Sequence, residues 1–267
     1  VCAALATALR REARNEEALD VARAAADSAR PRLPDSLEQF VEANIQVASV
    51  MHELGRYEDA HAHLNGVVTD FASSLPDESK ARRAALSDLG ILLSSLGYFD
   101  EALESHRAAA DAVGAAYEEH SADRLDSDVN VIAALIEVGR LDEAEARFSA
   151  FETRLGHPNV TPRFRTNALS LLAALRRARG DFEGAAVVGA QIVERLETGS
   201  GESNASRQAT VNLAGDLQRA GALEDALGHY DDAIEQIHAS EIPQSAPIAI
   251  NARLGRANVL IEMERAD

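Results

Sequence analysis

The side chains best suited to chemistry in this 267-residue sequence are a few histidines, one cysteine and many carboxylates. His61 and His63 are two residues apart, a spacing that points their side chains away from each other on a helix. His52 and Glu53 begin like the helix of a zinc peptidase, but no second histidine follows at the required spacing. Cys2 is the single cysteine, so it can form neither an internal disulfide nor a zinc site alone. These residues predict no metal site.

The motifs of common enzyme and cofactor sites are also missing from the sequence. It contains no P-loop, no Gly-x-Gly-x-x-Gly and no Gly-x-Ser-x-Gly. Carboxylates are abundant, but many follow the turns described below. There they begin a predicted helix, whose dipole favours negative charge at that end. We therefore expect neither catalytic residues nor a cofactor.

The overall charge restricts the choice of partner. The formal net charge is -18, and the sequence pI is near 4.8. Nucleic acids and anionic membrane surfaces attract basic proteins, so neither is an expected partner. No apolar run reaches the roughly 20 residues needed to cross a bilayer. With one cysteine and no signal peptide, the chain is predicted to be cytoplasmic.

The dominant pattern in the sequence is a repeat of 41 or 42 residues. A glycine is followed by an alanine five positions later, and acidic residues lie between them. Ala18 belongs to a first unit in which the glycine is replaced. The five complete pairs are Gly55 and Ala60, Gly97 and Ala102, Gly139 and Ala144, Gly180 and Ala185, and Gly221 and Ala226.

Each repeated residue type has a predicted structural role. The glycine ends a first helix in the left-handed conformation, and the alanine lies where two helices cross closely. The large residue two positions after each glycine is predicted to fill the base of the helix pair. The prolines, and the segment 198–201, are predicted to separate one pair from the next. The large residues are Tyr57, Phe99, Leu141, Phe182 and Leu223.

This pattern resembles the tetratricopeptide repeat. Small residues precede the glycine at the position where helices of that family pack, namely Ala48, Gly90, Ala173 and Ala214. The resemblance implies an all-α fold, a right-handed superhelical solenoid of antiparallel helix pairs. The period is longer than the usual 34 residues or so. It is similar to that of kinesin light chain and of repeats in bacterial multidomain signalling regulators.

The repeats predict one solenoid over residues 1–267. It would hold about six repeats and a partial seventh, whose turn begins at Glu264. Because the pattern starts and stops within a repeat, we expect a fragment of a larger protein. Ile132 and Arg176 depart from the family pattern and predict looser packing in the fourth and fifth repeats. The repeats are 1–30, 38–72, 80–115, 122–156, 163–198, 205–240 and 247–267.

In the family, the first helix of each pair supplies a concave face on which peptides or helices bind. The resemblance therefore implies a partner-binding surface on these helices. An asparagine amide at this face can pair with a backbone amide of the ligand. The candidate residues are Gln46, Ser49, His52, Asp88, Ile91, Ser95, Asn130, Ala133, Glu137, Arg177, Asn212, Gly215 and Arg219.

Three functions remain open at this point. The first is a protein-interaction scaffold or sensor module of a larger bacterial regulator, with a protein or peptide partner. The second is a domain that senses a peptide or small molecule and controls an attached kinase, signalling ATPase or caspase-like protease. The third is a structural spacer that self-associates through its repeat ends. Fold analogy alone does not choose among them.

Overall fold

The structure is a computed structural model, and its secondary-structure elements are all helices in the residues that it describes. It describes residues 5–6, 8–9, 14–30, 36–71, 74–77, 79–116, 118–200, 203–240, 242–243 and 246–266. Within these residues, twelve helices have defined first and last residues, and there is no strand. Cys2, Pro31 and Pro34 lie outside the described residues.

The helices are 14 to 20 residues long and follow one another through short turns. In chain order they are α1 (Asn15–Ala29), α2 (Leu37–Glu53), α3 (Tyr57–Asp70), α4 (Lys80–Ser95), α5 (Phe99–Ala116), α6 (Ala122–Val138), α7 (Leu141–Arg154), α8 (Pro162–Ala178), α9 (Phe182–Ser200), α10 (Asn204–Ala220), α11 (Leu223–Ala239) and α12 (Pro247–Ala266).

The repeated glycines have the predicted left-handed conformation. Their φ angles lie between 74° and 84° at all five positions. At each turn the residue after the glycine donates its backbone N–H to the carbonyl five residues earlier, at 2.9 to 3.0 Å. This closure satisfies carbonyls at the end of the first helix. The sequence prediction for these turns is therefore confirmed.

The repeated alanines are also where the sequence places them. Ala18, Ala60, Ala102, Ala144, Ala185 and Ala226 each have 0% of their surface exposed. A larger side chain at such a crossing would push two helices apart. The prediction for the large residues after the glycines holds only in part, since Leu141, Phe182 and Leu223 are half-buried and Leu223 packs against the core. Tyr57 and Phe99 are 39% and 41% exposed, because they begin the second helix outside the crossing.

The helix boundaries follow ordinary capping chemistry. The hydroxyls of Ser79, Ser121 and Ser203 accept backbone N–H groups at the starts of α4, α6 and α10. Pro162 and Pro247 are the first residues of α8 and α12, where a missing N–H costs nothing. Pro76, Pro158 and Pro243 lie between helices, as predicted.

One predicted break starts later than expected and one does not begin where predicted. The helix α9 runs to Ser200 and α10 begins at Asn204, and Gly201 lies outside the described residues. Residues 198–200 continue α9, and Thr198 bonds back to the carbonyl of Glu194. Glu264 and Arg265, predicted to begin a turn, lie in the last turn of α12. Glycine weakens a helix by about 1 kcal/mol relative to alanine, so Gly199 does not by itself end one.

The chain divides into two compact units, residues 1–140 (unit 1) and residues 141–267 (unit 2). We call the first helix of each pair helix A and the second helix B. Unit 1 contains A helices α2, α4 and α6 and B helices α1, α3 and α5. Unit 2 contains B helices α7, α9 and α11 and A helices α8, α10 and α12. No helix of the described residues is long and apolar enough to cross a membrane.

The two residues predicted to loosen the packing behave differently. Ile132 is fully buried on α6, so the larger side chain is accommodated. Arg176 is half-buried and forms an ion pair with Asp181 at 2.7 Å. A gap does exist in the fifth repeat, but Arg176 does not line it.

Candidate partner-binding surfaces

In unit 1 the A helices form a groove that we call the polar groove. Its first part is a cavity of about 130 Å³ between α2 and α4. Its second part is a cavity of about 320 Å³ between α4 and α6, above α5. The first is lined by Ala48, Ser49, His52, Glu53, Asp88, Ile91 and Leu92. The second is lined by Ile91, Ser94, Ser95, His106, Asn130, Ala133, Ala134 and Glu137.

Most of the site residues predicted in unit 1 come together in this groove. Eight of the nine line it, and Ile91 belongs to both cavities. Ile91 is 45% exposed, so an aliphatic side chain stands at the centre of a mainly polar surface. Gln46 is half-buried on α2 and does not line either cavity.

Polar side chains in the polar groove bond to the same face of the next repeat. His52 Nε2 lies 2.9 Å from Ser95 Oγ, and Ser94 Oγ donates to Glu137 at 2.7 Å. The amide of Asn130 donates to Ser87 Oγ at 2.8 Å. These bonds tie neighbouring A helices together, so the predicted polar residues also stabilise the groove itself.

A histidine forms part of the floor of the polar groove. His106 on α5 is 5% exposed and lies against Gly90 on α4. A Cβ atom added to Gly90 would stand 2.6 Å from the imidazole ring, so this contact requires glycine. Burial lowers the pKa of His106 to about 4, and the ring is neutral at pH 7. Its Nδ1 is buried and has no hydrogen-bond partner among the described residues.

In unit 2 a cavity of about 310 Å³ opens between α8 and α10, with α9 beneath it. We call it the Gly189 cavity. Ala173 and Leu213 are buried in its floor, whereas Ser170, Gln208 and Asn212 are exposed at its rim. Its lining residues are Thr166, Ser170, Ala173, Arg177, Gly189, Ile192, Leu196, Ala205, Gln208, Ala209, Asn212, Leu213 and Asp216.

A small residue lies beneath this cavity. The residue four positions after the repeated alanine is Ala22 in the first repeat, and it is large in four of the six repeats. These large residues are Leu64, His106, Phe148 and Tyr230, all 6% exposed or less. The fifth repeat has Gly189 at this position. The helices α8 and α10 approach each other less closely than do α2 and α4, or α10 and α12, and the same is true of α4 and α6.

One end of the Gly189 cavity carries a buried charge cluster. The side chain of Asp216 is 2% exposed, and burial raises its pKa. Arg177 Nε and Arg219 Nη1 lie 3.2 and 3.4 Å from Asp216 Oδ1. The Arg177 contact is an ion pair without hydrogen-bond geometry. Two guanidinium groups therefore share one carboxylate.

The predicted site residues of unit 2 divide into two pairs. Arg177 and Asn212 line the Gly189 cavity, and Asn212 Oδ1 accepts a bond from Gln208 at 3.0 Å. Gly215 lies outside the cavity, near Arg219 and the hydroxyl of Tyr230. The guanidinium of Arg219 lies over the ring of Phe182, 5.5 Å from its centroid.

The sequence prediction missed Gly189 and Asp216. Aligning the B helices by their repeated alanines would have shown Gly189 as the one glycine in a column of four large residues and Ala22. Asp216 has no comparable signal, because acidic residues are common throughout the chain.

The A helices of the two units differ in charge. In unit 1 they hold eight acidic and four basic residues, whereas in unit 2 they hold three acidic residues and nine arginines. The walls of the Gly189 cavity are the extreme case. Helices α8 and α10 contain six arginines and one acidic residue, Asp216. Of these charged residues, only Arg177 and Asp216 line the cavity itself.

The described residues contain no group of three or more His, Cys, Asp or Glu side chains placed to hold a metal ion.

Neither a protein-family model nor a curated protein sequence matches this chain. Solved structures do match. BtubC (BKLC) from P. vanneervenii has a TM-score of 0.67 at 17% identity, over 87% of this chain and 94% of that one. The quorum sensor NprR from B. thuringiensis, in its apo form, also has a TM-score of 0.67, at 16% identity, over 82% of this chain and 60% of that one.

A third similar structure comes from a putative kinesin light chain of Podosopora anserina with nearly identical TPR-like repeats. Its TM-score is 0.60 at 19% identity, over 74% of this chain and 94% of that one. The glycine turns, the buried alanines and these structural matches agree with one another. The chain has the all-α fold of tetratricopeptide-repeat proteins.

Proposed function

We propose that this chain is a protein-interaction module that binds a peptide or protein segment on its A helices. The observation that carries the proposal is the polar groove. Eight residues chosen from the sequence pattern alone lie together in it, around the exposed side chain of Ile91. An aliphatic anchor surrounded by polar groups is the usual composition of a site for a peptide.

The geometry of the polar groove suits an extended segment better than a compact ligand. Its two cavities meet at Ile91 and run across three parallel repeats. Side chains of a bound segment would contact Ile91, while hydroxyl, imidazole and carboxylate groups from α2, α4 and α6 would bond to its backbone. We further propose that the chain is a scaffold or sensor part of a larger bacterial regulatory protein.

Selection from a random peptide display library on the purified protein tests this proposal. We expect enriched peptides to bind the parent and to bind an Ile91→Glu variant at least 10-fold more weakly. A buried carboxylate beside an apolar side chain is costly, which is the reason for this loss. Fluorescence anisotropy with labelled peptides measures the affinity.

Val187→Glu is the matched control. Val187 is an exposed aliphatic residue on helix B, so its replacement makes the same chemical change outside the A helices. If binding is lost equally in both variants, or is kept in both, the polar groove is not the binding surface.

A second candidate function is ligand sensing. Two observations favour it: the Gly189 cavity is large enough for a small molecule, and NprR, of similar structure, is a quorum sensor. A sensor must change its conformation when it binds. Small-angle scattering with and without a selected ligand would detect that change, and identical scattering curves would count against sensing.

Self-association is a separate proposal that rests on α12. This helix exposes Ile250, Leu254 and Ile261, which recur at helical spacing. Leu254→Glu is expected to lower the apparent mass in concentrated solution if this face joins two copies. An unchanged mass in analytical ultracentrifugation would remove the proposal.

A further inference from the structure

The turns between helix A and helix B in the second and third repeats carry exposed aromatic side chains beside the polar groove. Tyr57, Tyr98 and Phe99 are 39%, 52% and 41% exposed, and no other tyrosine or phenylalanine in the described part of the chain is exposed. We propose that these rings bind arginine side chains of a basic segment of a partner protein. This inference goes beyond the proposed function, because the polar groove can bind a peptide whether or not these turns bind arginine.

The exposed rings belong to one continuous surface of unit 1. The ring of His52 lies 5.0 Å from that of Tyr57, and His52 Nε2 lies 2.9 Å from Ser95 Oγ at the end of α4. The ring of His61 on α3 lies 6.4 Å from that of Tyr98. These contacts join the turn of the second repeat to the turn of the third. We call this surface the aromatic edge, and its exposed rings are Tyr57, Tyr98 and Phe99.

Unit 2 shows how a ring at this position of the repeat can be covered. Phe182 begins α9, as Tyr57 begins α3 and Phe99 begins α5, but Phe182 is only half-buried rather than exposed. The guanidinium carbon of Arg219 lies over its ring, 5.5 Å from the centroid. A cation within about 6 Å of a ring centroid is attracted to the ring face. In the sixth repeat, Arg219 lies two residues before the turn glycine, so the next repeat supplies the cover.

The repeats of unit 1 have no such cover over their turns. The positions equivalent to Arg219 hold Ser95 in the third repeat and Glu137 in the fourth, and neither residue can supply a cation. Among the residues that the structure describes, no arginine or lysine lies over a ring of the aromatic edge. The faces of these rings are therefore free for a guanidinium group from another protein.

The charge around the aromatic edge favours a cationic partner. The one arginine at these two turns, Arg56, already pairs with Glu16 at 2.8 Å. Four exposed carboxylates beside the rings have no ion pair within the described ranges, and they are Glu58, Asp59, Asp100 and Glu101. The helix dipole accounts for acidic residues at these positions, so it is the uncovered rings that indicate a ligand. A planar guanidinium can stack on a ring and donate to a neighbouring carboxylate, whereas an ammonium group is a compact point charge.

A labelled peptide in which arginine alternates with glycine tests the inference by fluorescence anisotropy. The double variant Tyr57→Ser/Phe99→Ser removes two rings and keeps every charge, so it separates stacking from general attraction to an acidic protein. Val187→Ser is the matched control, since it removes an exposed apolar side chain from helix B of unit 2. Circular dichroism shows that each variant is folded before binding is compared.

We expect the double variant to bind the peptide about 5-fold more weakly than the parent, and Val187→Ser to bind it like the parent. Tyr98→Ser should weaken binding about 2-fold, and its ring is the most exposed of the three, so this variant also serves if the double variant does not fold. A peptide with lysine in place of arginine should bind the parent about 3-fold more weakly.

Three results would overturn the inference. Equal binding by the parent and the ring variants would show that the peptide is held by net charge alone. Equal affinity for the lysine and arginine peptides would show that stacking does not contribute. Failure of the parent to bind the arginine peptide even at low salt, where ion pairs are strongest, would show that the aromatic edge takes no cation. None of these results bears on the polar groove, which is tested separately with Ile91→Glu.

Discussion

The two units of this chain use the same repeat. The third repeat, in unit 1, and the fifth repeat, in unit 2, have different residues at one buried position of helix B. Four residues after the repeated alanine, unit 1 has His106 in its third repeat and unit 2 has Gly189 in its fifth. In unit 1 the ring packs against Gly90 and forms the floor of a polar surface. In unit 2 the glycine leaves a cavity with an apolar floor between basic helices. The residue at this position therefore decides whether the layer beneath the A helices presents an imidazole ring or an apolar gap.

The largest expected effect concerns the buried histidine of unit 1. The pKa of His106 is about 4 in the folded protein and about 6.5 in the unfolded chain. The unfolded state therefore binds the proton first, and folding stability falls as pH drops from about 6.5 to about 4. At about 1.4 kcal/mol per unit, the loss is about 3 kcal/mol. Urea unfolding at a series of pH values measures it.

His106→Leu should lack this component of the pH dependence, since Leu64 fills the same position in the preceding repeat. His238→Leu, at an exposed position of α11, should keep it. If the free energy of unfolding changes with pH in the same way for the parent and for His106→Leu, the histidine is not buried in its neutral form.

The second effect compares two glycines at contacts between A and B helices, Gly90 on α4 and Gly189 on α9. Gly90→Ala brings a Cβ to 2.6 Å from the ring of His106 and should destabilise the protein by about 1–3 kcal/mol. Gly189→Ala brings a Cβ to 3.3 Å from Leu213 Cδ1, and a small shift of that flexible side chain relieves the contact. With a gain in helix propensity of up to about 1 kcal/mol, it should destabilise the protein less than Gly90→Ala. Adding His106→Ala to Gly90→Ala should recover part of the loss. Equal changes at the two glycines, measured by thermal unfolding, would contradict the difference between the units.

The third effect should be the same in both units. Gly97 and Gly180 have φ angles of 83° and 78°, and alanine in this left-handed region costs about 1–2 kcal/mol. Gly97→Ala and Gly180→Ala should therefore be similarly destabilised. Gly66→Ala, within α3 and with open space around an added Cβ, should not be. A clear difference between the two turn variants would show that the repeat geometry is not shared.

The smallest effect concerns two asparagines at the groove face. Asn130 bonds across helices to Ser87, and its loss should cost about 1 kcal/mol. Asn212 bonds to Gln208 on its own helix, so Asn212→Ala should cost about 0.2–0.5 kcal/mol. Chemical denaturation of both alanine variants checks the order. The reverse order would mean that the bonds between repeats do not support the polar groove.

The repeat could be predicted from sequence because its physical demands are local. A left-handed turn needs glycine, and a close helix crossing needs alanine, so both appear as a period in the sequence. The residues after the turn have no such demand, and Tyr57 and Phe99 are accordingly exposed. Similarly, glycine at 199 did not end α9, because capping depends on the backbone conformation as well as on residue type.

The candidate surfaces could be predicted only in part. The face of an A helix follows from helical spacing, which is why Ser49, His52 and Ile91 lie together. The depth of a cavity depends on the layer below, and Gly189 is on another helix. The burial of Asp216 between two arginines depends on how far α8 and α10 are apart, and no spacing within either helix reports that distance.

Photo-cross-linking tests the central claim, that partners bind on the A helices, most directly. A photoreactive phenylalanine analogue would replace Ile91 or Asn212 on A helices, and Val187 or His238 on B helices, one at a time. The proposal predicts that a peptide selected on the parent becomes cross-linked at Ile91 or Asn212 and not at the B-helix positions. Cross-links at Val187 or His238, with none at Ile91 or Asn212, would contradict it.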